Sequence, residues 1–460
     1  MAITPVFLLS ALLIALAQFL AWRYFLARLK KRPLRFLMNF IYIIANLLGV
    51  YGLLSVYVLD FMPPSNFLWN FVVRPGIIWE LTHLFWLLPS FLLVLLSLLW
   101  RFFKKEPKGL PKLFRAEKPG PGFFEPAGLC LILMLVLAFY GYAKQLGDPE
   151  VTRLTLNFPD LPKDLEGLKI AATSDFHYGR GQNAEELART FGLIANEKPD
   201  LVLLLGNFVD NRSFSTADYK EPLKLVKDAP LGVHAVLGLR DHMTDAPNNV
   251  KQFLTLSGVR VLSDESVNVP DLPLTLVGFS DPGTPEFGIS PLTLPDRDLK
   301  LPWNKIQGHL PQEDNFVLLM NSRPIDAIPT SERKTVDLYL AGHTKGGLFQ
   351  LPWNKDLNLA AFFYDHSSGR YAFADMELYV NRGLAAPISP FRLFAWPEIL
   401  VVTLRKGPRE FPAAGEQGPG SGAPATPAPT PATPATPPSD GSEPLGESPA
   451  AETATEPGNP

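Results

Sequence analysis

Cysteine is nearly absent: Cys130 is the only one in 460 residues. That excludes an intramolecular disulfide and any cysteine-rich zinc site. Cys130 lies inside an apolar segment, where a buried thiol is expected. An excess of positive charge is also missing. The net charge is −3, which leaves no electrostatic footprint for nucleic acid, so none is expected as a partner. No lysine or arginine follows Arg409, and residues 407–460 are mostly Pro, Ala, Thr, Gly and Ser with scattered acids. Such a segment cannot bury enough apolar surface to fold, so a disordered tail is expected, passive or acting as a spacer arm.

Apolar residues, by contrast, are concentrated in the first third. Four long runs lie at about Pro5–Trp22, Phe36–Val58, Ile77–Trp100 and Pro126–Tyr142. Each approaches or exceeds the roughly 20 residues that cross a bilayer core as a helix. No small-residue cleavage site follows the first run, so it reads as a retained helix and not a signal peptide. The loop after the first run carries Arg28, Lys30, Lys31, Arg32 and Arg35. The loop after the third carries Arg101, Lys104, Lys105, Lys108, Lys112, Arg115 and Lys118. Between the second and third runs stand only Arg74 and Asp60. Positive loops stay cytoplasmic, so the chain from about Gly147 is expected outside the cytoplasm. Glu80 and His83 stand three residues apart near the outer end of the third run. They read either as a pair within the membrane or as side chains reaching water and headgroups.

A chain this long is expected to hold at least two structural units. The divisions are a transmembrane region over 1–146, a folded domain over 147–406 and the tail over 407–460. Within the domain, Leu168–Thr173, Asp200–Leu205, Val233–Leu237, Phe316–Met320 and Val336–Leu340 read as buried strands. Ala184–Asn196, with Leu187, Phe191 and Ile194 at helical spacing, reads as a helix between the first two. This alternation is that of an α/β protein. The word Leu-Pro-Trp-Asn-Lys occurs at Leu301–Lys305 and again at Leu351–Lys355. It reads as two similar loops and not as a duplication.

Five of the apolar runs end in short polar blocks. These are Ser174-Asp175-Phe176-His177, Gly206-Asn207-Phe208-Val209-Asp210, Gly238-Leu239-Arg240-Asp241, Asn321-Ser322-Arg323-Pro324 and Gly342-His343-Thr344-Lys345. Loops beyond the carboxyl ends of strands converge on one crevice in α/β sheets, so these residues are expected to meet. In that order the blocks resemble the signature motifs of calcineurin-like metallophosphoesterases, which read D-x-H, G-D-x-x-D, G-N-H-D/E, H-x-P and G-H-T-H. The likeness extends over about Thr152–Lys406 and is closest to the membrane-anchored bacterial branch of that family. It also takes in Ala229–Gly238, Gly258–Leu262, Leu276–Gly278, Gly346-Gly347 and Asn381–Gly383.

The resemblance implies a four-layer αββα sandwich preceded by four transmembrane helices. It also implies a pair of divalent ions (Mn, Zn or Fe) whose bridging hydroxide attacks a phosphoester, both ions clamping the transferring oxygens. By that likeness Asp175 and His177 serve the first ion and His343 the second. The remaining positions depart from the pattern. Asn207 stands for the bridging Asp, Leu239 for an Asn ligand, Arg240 for the catalytic His, Ser322 for a His ligand and Lys345 for the last His. The residual metal set is thus Asp175, His177, Asn207 and His343, short of the three or four good donors per ion that tight sites use. Guanidinium is a poor general acid. Arg240 and Lys345 also oppose an incoming dication.

Two readings of the two cations remain open. In one, Arg240 and Lys345 pair with Asp175, Asp210 or Asp241 in a satisfied salt-bridge cluster. In the other, they bind an anion, a phosphate on a membrane lipid or another envelope ligand, Arg in bidentate fashion and Lys as a point charge. The functional expectation follows the same fork: an impaired anion-binding or scaffold module, or an active metal-dependent hydrolase of envelope phosphoesters. Of the remaining polar residues, His234 is expected as a packed strand residue and His242 as a surface or supporting one. His309 and His366 carry no motif. Asp210 is expected to support neighbours, and Arg382 either reaches the crevice or belongs to a structural turn.

Overall fold

The computed structural model describes residues 22, 31–53, 66–82, 126–179, 182–209, 217–242, 247–279, 281, 301, 315–325, 335–351, 353–373, 375–385 and 392–410. Five apolar runs form strands as expected: β2 (Lys169–Thr173), β3 (Leu201–Leu204), β4 (Val233–Val236), β8 (Phe316–Met320) and β9 (Leu338–Ala341). Around them lie β1 (Glu150–Phe158), β5 (Val259–Leu262), β6 (Glu265–Asn268), β7 (Leu274–Gly278), the hairpin β10 (Gln350–Leu351) and β11 (Asn354–Asn358), β12 (Gly369–Ala372), β13 (Glu377–Val380) and β14 (Glu398–Lys406). They form two six-stranded sheets, ordered β1-β14-β2-β3-β4-β5 and β12-β13-β9-β8-β7-β6. In the first, β2 through β5 run parallel. In the second, β7, β8, β9 and β13 do.

The sandwich follows from strand alternation, which sends successive side chains to opposite faces. Ile170, Ala172, Leu201, Leu203 and Val236 of the first sheet meet Leu276, Leu318, Met320, Leu338 and Leu340 of the second in one buried cluster. Their neighbours Ala171, Val202, Leu204 and Ala235 point the other way, onto Leu187, Phe191 and Ile194 of the helix Ala184–Asn196. That helix begins where Asn183 and Glu186 form a reciprocal capping box. The outer face of the second sheet is covered by Leu301, Ile325 and Val336. No helix packs on it among the described residues, so the fold shown is a mixed α/β sandwich, and the expected fourth layer stays with the resemblance.

His234 lies in β4 and is buried, with Nε2 3.1 Å from the Leu231 carbonyl oxygen. Burial pushes its pKa below the usual value, with the Arg260 charge adding to this and the Leu231 contact opposing it. The folded state therefore binds fewer protons than the unfolded chain, so stability falls as pH drops through about 6.5. The variant His234→Gln is expected to flatten the stability profile between about pH 7 and 5. Chemical denaturation at several pH values measures it, and an unchanged slope would refute the assignment.

The amino-terminal region contributes a helix, Arg32–Leu53, long and apolar enough to cross a membrane. A second apolar helix, Pro126–Gln145, precedes β1. Residues 66–82 are helical and pack closely on the first helix. A Cβ at Gly76 would come within 2.8 Å of the Leu48 carbonyl. Only glycine permits this approach, a device common between membrane helices. Glu80 is buried against Gly49 between these helices. Its expected partner His83, the first apolar run apart from Trp22, most of the third, and the tail beyond residue 410 lie outside the described residues. The helix Pro126–Gln145 joins the domain directly. Gln145 Nε2 donates to the Leu384 carbonyl at 2.9 Å, and the Tyr142 hydroxyl donates to the Asn70 carbonyl.

Candidate functional site

The loops after β2, β3, β4, β8, β9 and β13 meet at one end of the sandwich, and Asp175 lies at their centre. It is fully buried. Its Oδ1 accepts from Asn207 Nδ2 at 2.9 Å and from the Lys345 ammonium at 2.9 Å. Its Oδ2 accepts from the Ser174 hydroxyl and the His343 backbone N–H, both at 2.8 Å. His177 Nε2 stands 3.4 Å from Oδ1. Gly383 closes the remaining side at φ 62°, where a Cβ would lie 2.6 Å from Oδ2. Burial pushes the Asp175 carboxyl up, but the Lys345 ammonium above all, helped by the His177 contact, outweighs it and holds the group well below the usual carboxylate range. Asp175 is therefore an anion at neutral pH.

Backbone strain is concentrated here. Asp175, His177, Asn207, His343 and Lys345 all have φ between 45° and 73°. A non-glycine residue in this left-handed region costs about 1–2 kcal/mol, and such outliers cluster at functional sites.

Asn207 is well suited to these neighbours. Its amide donates to Asp175 while its carbonyl oxygen accepts from the Arg240 N–H at 3.1 Å. A carboxylate at the same place would face Asp175 with no proton between them. Beneath it, Asp241 is buried and accepts four backbone N–H groups. Oδ1 takes those of Phe208 and Val209 at 2.7 and 3.1 Å, and Oδ2 those of Asn207 and Gly238 at 2.8 and 2.9 Å. Burial pushes its carboxyl up to about 6 against these hydrogen bonds. Asp241 thus fastens the β3 and β4 loops together. The variant Asp241→Asn places an NH2 against two backbone donors and is expected to cost about 2–4 kcal/mol of stability. Denaturant titration measures this, and a wild-type midpoint would contradict the role.

The β8 loop supplies another pairing. Asp281 is buried and its Oδ2 accepts from both the Ser322 hydroxyl and Arg323 Nε at 2.8 Å. Ser322 is thus engaged in holding an ion pair. Burial, together with the positive charges of Arg323 and Lys345, holds His343 well below the usual histidine range, so it is neutral. Its Nδ1 has no hydrogen-bond partner among the described residues. Arg392 is buried too, donating to the carbonyls of Arg382 and Ala385.

Sequence reasoning placed Asp175, His177, Asn207, Arg240, His343 and Lys345 in one crevice, and the structure brings them together. Of the partners expected for the two cations, Lys345 takes Asp175, while Asp241 is occupied by backbone and Asp210 lies outside the described residues. Leu239 begins the helical turn Leu239–His242 and offers no donor. Arg382 pairs with Glu398 and Glu150, each at 2.9 Å, as a structural element of the turn. His366 packs against Tyr371 and Phe373, and His309 lies outside the described residues. Asp281, Arg323 and Arg392 were missed. Asp281 follows an apolar strand as the recognised blocks do, and Arg323 stands inside the block Asn321-Ser322-Arg323-Pro324. Arg392 left no local signal.

These donors bear on a metal pair. Among the described residues no group of three or more His, Cys, Asp or Glu is placed to hold an ion. The ammonium of Lys345 rests on the Asp175 oxygen that a cation requires. The Asn207 amide presents its hydrogen to the same atom. This donor set does not fit a two-ion centre.

Comparison with known proteins places the sandwich. Residues 168–346 match the model of the calcineurin-like phosphoesterase family. Over that stretch, which is less than half of the chain, the sequence is similar to the calcineurin-like phosphoesterases. It is 28% identical over 273 residues to the metallophosphoesterase YkuE of Bacillus subtilis, covering 58% of this chain and 90% of that protein. A Danio rerio transmembrane protein with a metallophosphoesterase domain is 25% identical over 292 residues, covering 63% of this chain and 65% of the relative. The Chlamydia trachomatis UDP-2,3-diacylglucosamine pyrophosphatase LpxG is 32% identical over 94 residues, covering 20% of this chain and 29% of its own.

Proposed function

We propose that this chain is a multi-pass, membrane-anchored member of the metallophosphoesterase family. In this reading its crevice binds a phosphate-bearing envelope ligand without hydrolysing it, and the domain lies outside the cytoplasm. The carrying observation is the Lys345 ammonium at 2.9 Å from Asp175 Oδ1. A fixed side-chain cation supplies the positive charge that a divalent ion would bring. Lys345 also feels the charges of Arg392 and Arg240, and Arg323 acts on His343. Lys345, Arg240, Arg323 and Arg392 thus gather about Asp175 and His343, and this positive charge supports a phosphate ligand.

A second reading is supported by the pyrophosphatase relative and by the retained Asp175, His177 and His343: a metal-dependent phosphoesterase acting on envelope lipid or wall phosphoesters. The two part on one measurement with the purified full chain. After dialysis against Mn(II) and Zn(II), the anion-binding reading expects less than one tightly held ion per chain and no turnover of a generic phosphodiester. It also expects inorganic phosphate to bind with an affinity that falls as salt rises. Two bound ions, with turnover abolished by Asp175→Ala, would establish the hydrolase.

A further inference from the structure

The chain leaves a group of large apolar side chains exposed on one short stretch of the domain. Trp353 and Leu357 lie on the β10–β11 hairpin, and Leu359, Phe362 and Phe363 on the helical turn after it. Trp353 and Phe362 are each 79% exposed and Phe363 69%. Single exposed apolar residues are ordinary in soluble proteins, but five within eleven positions mark an interaction surface.

The neighbour of this stretch identifies its occupant. Phe349, Leu359 and Leu393 of the domain line one apolar cavity of about 290 Å³ together with Met134, Leu137 and Ala138 of the helix Pro126–Gln145. Leu137 lies eight residues before Gln145, where the helix meets the domain. At about 1.5 Å per residue this is a depth of about 12 Å below that end. The interfacial layer of one leaflet is only about 5–8 Å thick. With this helix crossing the bilayer and its Gln145 end at the outer edge of that layer, the cavity, and Leu359 with it, would lie at the edge of the hydrocarbon. The same helix exposes Ile132, Leu133, Val136 and Phe139. Tyr140 meets Trp396 edge-on at 5.7 Å, with Trp396 against Phe394 at 5.8 Å. Tyr and Trp gather at the membrane–water boundary.

We infer that residues 349–363 form a membrane-dipping loop, seated in the lipid bilayer beside the helix Pro126–Gln145. The loop is packed onto the candidate site. Gly347, at φ 69°, lies so close to Leu359 and Ala360 that a Cβ would come within 2.7 Å of both backbone nitrogens. The Tyr364 ring meets His343 at 6.1 Å. The bilayer surface thus lies next to the Asp175–Lys345 pair, and the ligand reaching it is the phosphate of a lipid headgroup. Only this last consequence rests on the function proposed above. The docking surface rests on the helix geometry alone.

The test uses the full chain with Cys130→Ser, reconstituted in phosphatidylethanolamine–phosphatidylglycerol vesicles. A nitroxide is attached at Phe362→Cys, and in a second variant at Trp353→Cys. The reference label is Leu256→Cys, an apolar position with the same 79% exposure on a different helix. Collision with oxygen, which partitions into lipid, is compared with collision with a water-soluble nickel chelate. The ratio at 362 and 353 is expected to exceed that at 256 several-fold. Equal ratios at all three positions would overturn the inference, whatever the crevice binds.

Discussion

Replacing Lys345 by methionine is expected to lower the free energy of unfolding by about 3–5 kcal/mol, the range seen when one partner of a buried ion pair is removed. Methionine keeps most of the side-chain volume, so the cost is electrostatic and not a cavity. Asp175 would retain the Asn207 amide, the Ser174 hydroxyl and the His343 N–H. It would lose the only ammonium in contact with it among the described residues. The double variant Lys345→Met with Asp175→Asn is expected to cost less than the sum of the single ones, with a coupling of about 1–3 kcal/mol. Denaturant titration of the four proteins in detergent gives the cycle. Additive effects would show that the ammonium and the carboxylate do not depend on one another.

The second large effect is a gain. Substituting Asn207→Asp, Leu239→Asn, Arg240→His, Ser322→His and Lys345→His together is expected to create a centre binding two Mn(II) ions per chain. The reason is that the backbone of such a site is still present. Asp175, His177, Asn207, His343 and Lys345 hold left-handed conformations, and Asp241 still ties the β3 loop to the β4 loop through four N–H groups. The substitutions add donors and remove two cations that repel a dication. Asn207→Asp alone is expected to be destabilised in chelator, because the Asn207 amide hydrogen is lost and two carboxylates then share the single Lys345 ammonium. Metal content by elemental analysis and phosphodiester turnover measure the outcome. A five-site variant that folds and binds no metal would refute the assignment of the five blocks to one centre.

Much of the frame was legible because strand burial is a local property. Runs such as Leu-Val-Leu-Leu at 201–204 and Phe-Val-Leu-Leu-Met at 316–320 are apolar on both faces, and a strand buried on both faces must be. The polar blocks were legible because each follows its strand directly. What stayed hidden depends on distant pairings. Ser322 reads as a lost ligand until Asp281, 41 residues away, is seen to take its proton. Arg382 reads equally as a crevice cation or as part of a structural turn until Glu398 and Glu150 claim it. The exposed residues near Trp353 carry no periodic signal, and only their position beside the helix Pro126–Gln145 gives them meaning.

Sequence alone determined the alternating strands, the order of the loops and the chemical identity of each group in the crevice. Residue type fixes hydrophobicity and charge, and strand ends fix which loops gather. The tertiary structure decided which cation answers which carboxylate, because charges in a dry interior are stabilised only by partners within a few ångströms. It chose Lys345 for Asp175, Arg323 for Asp281 and backbone N–H groups for Asp241.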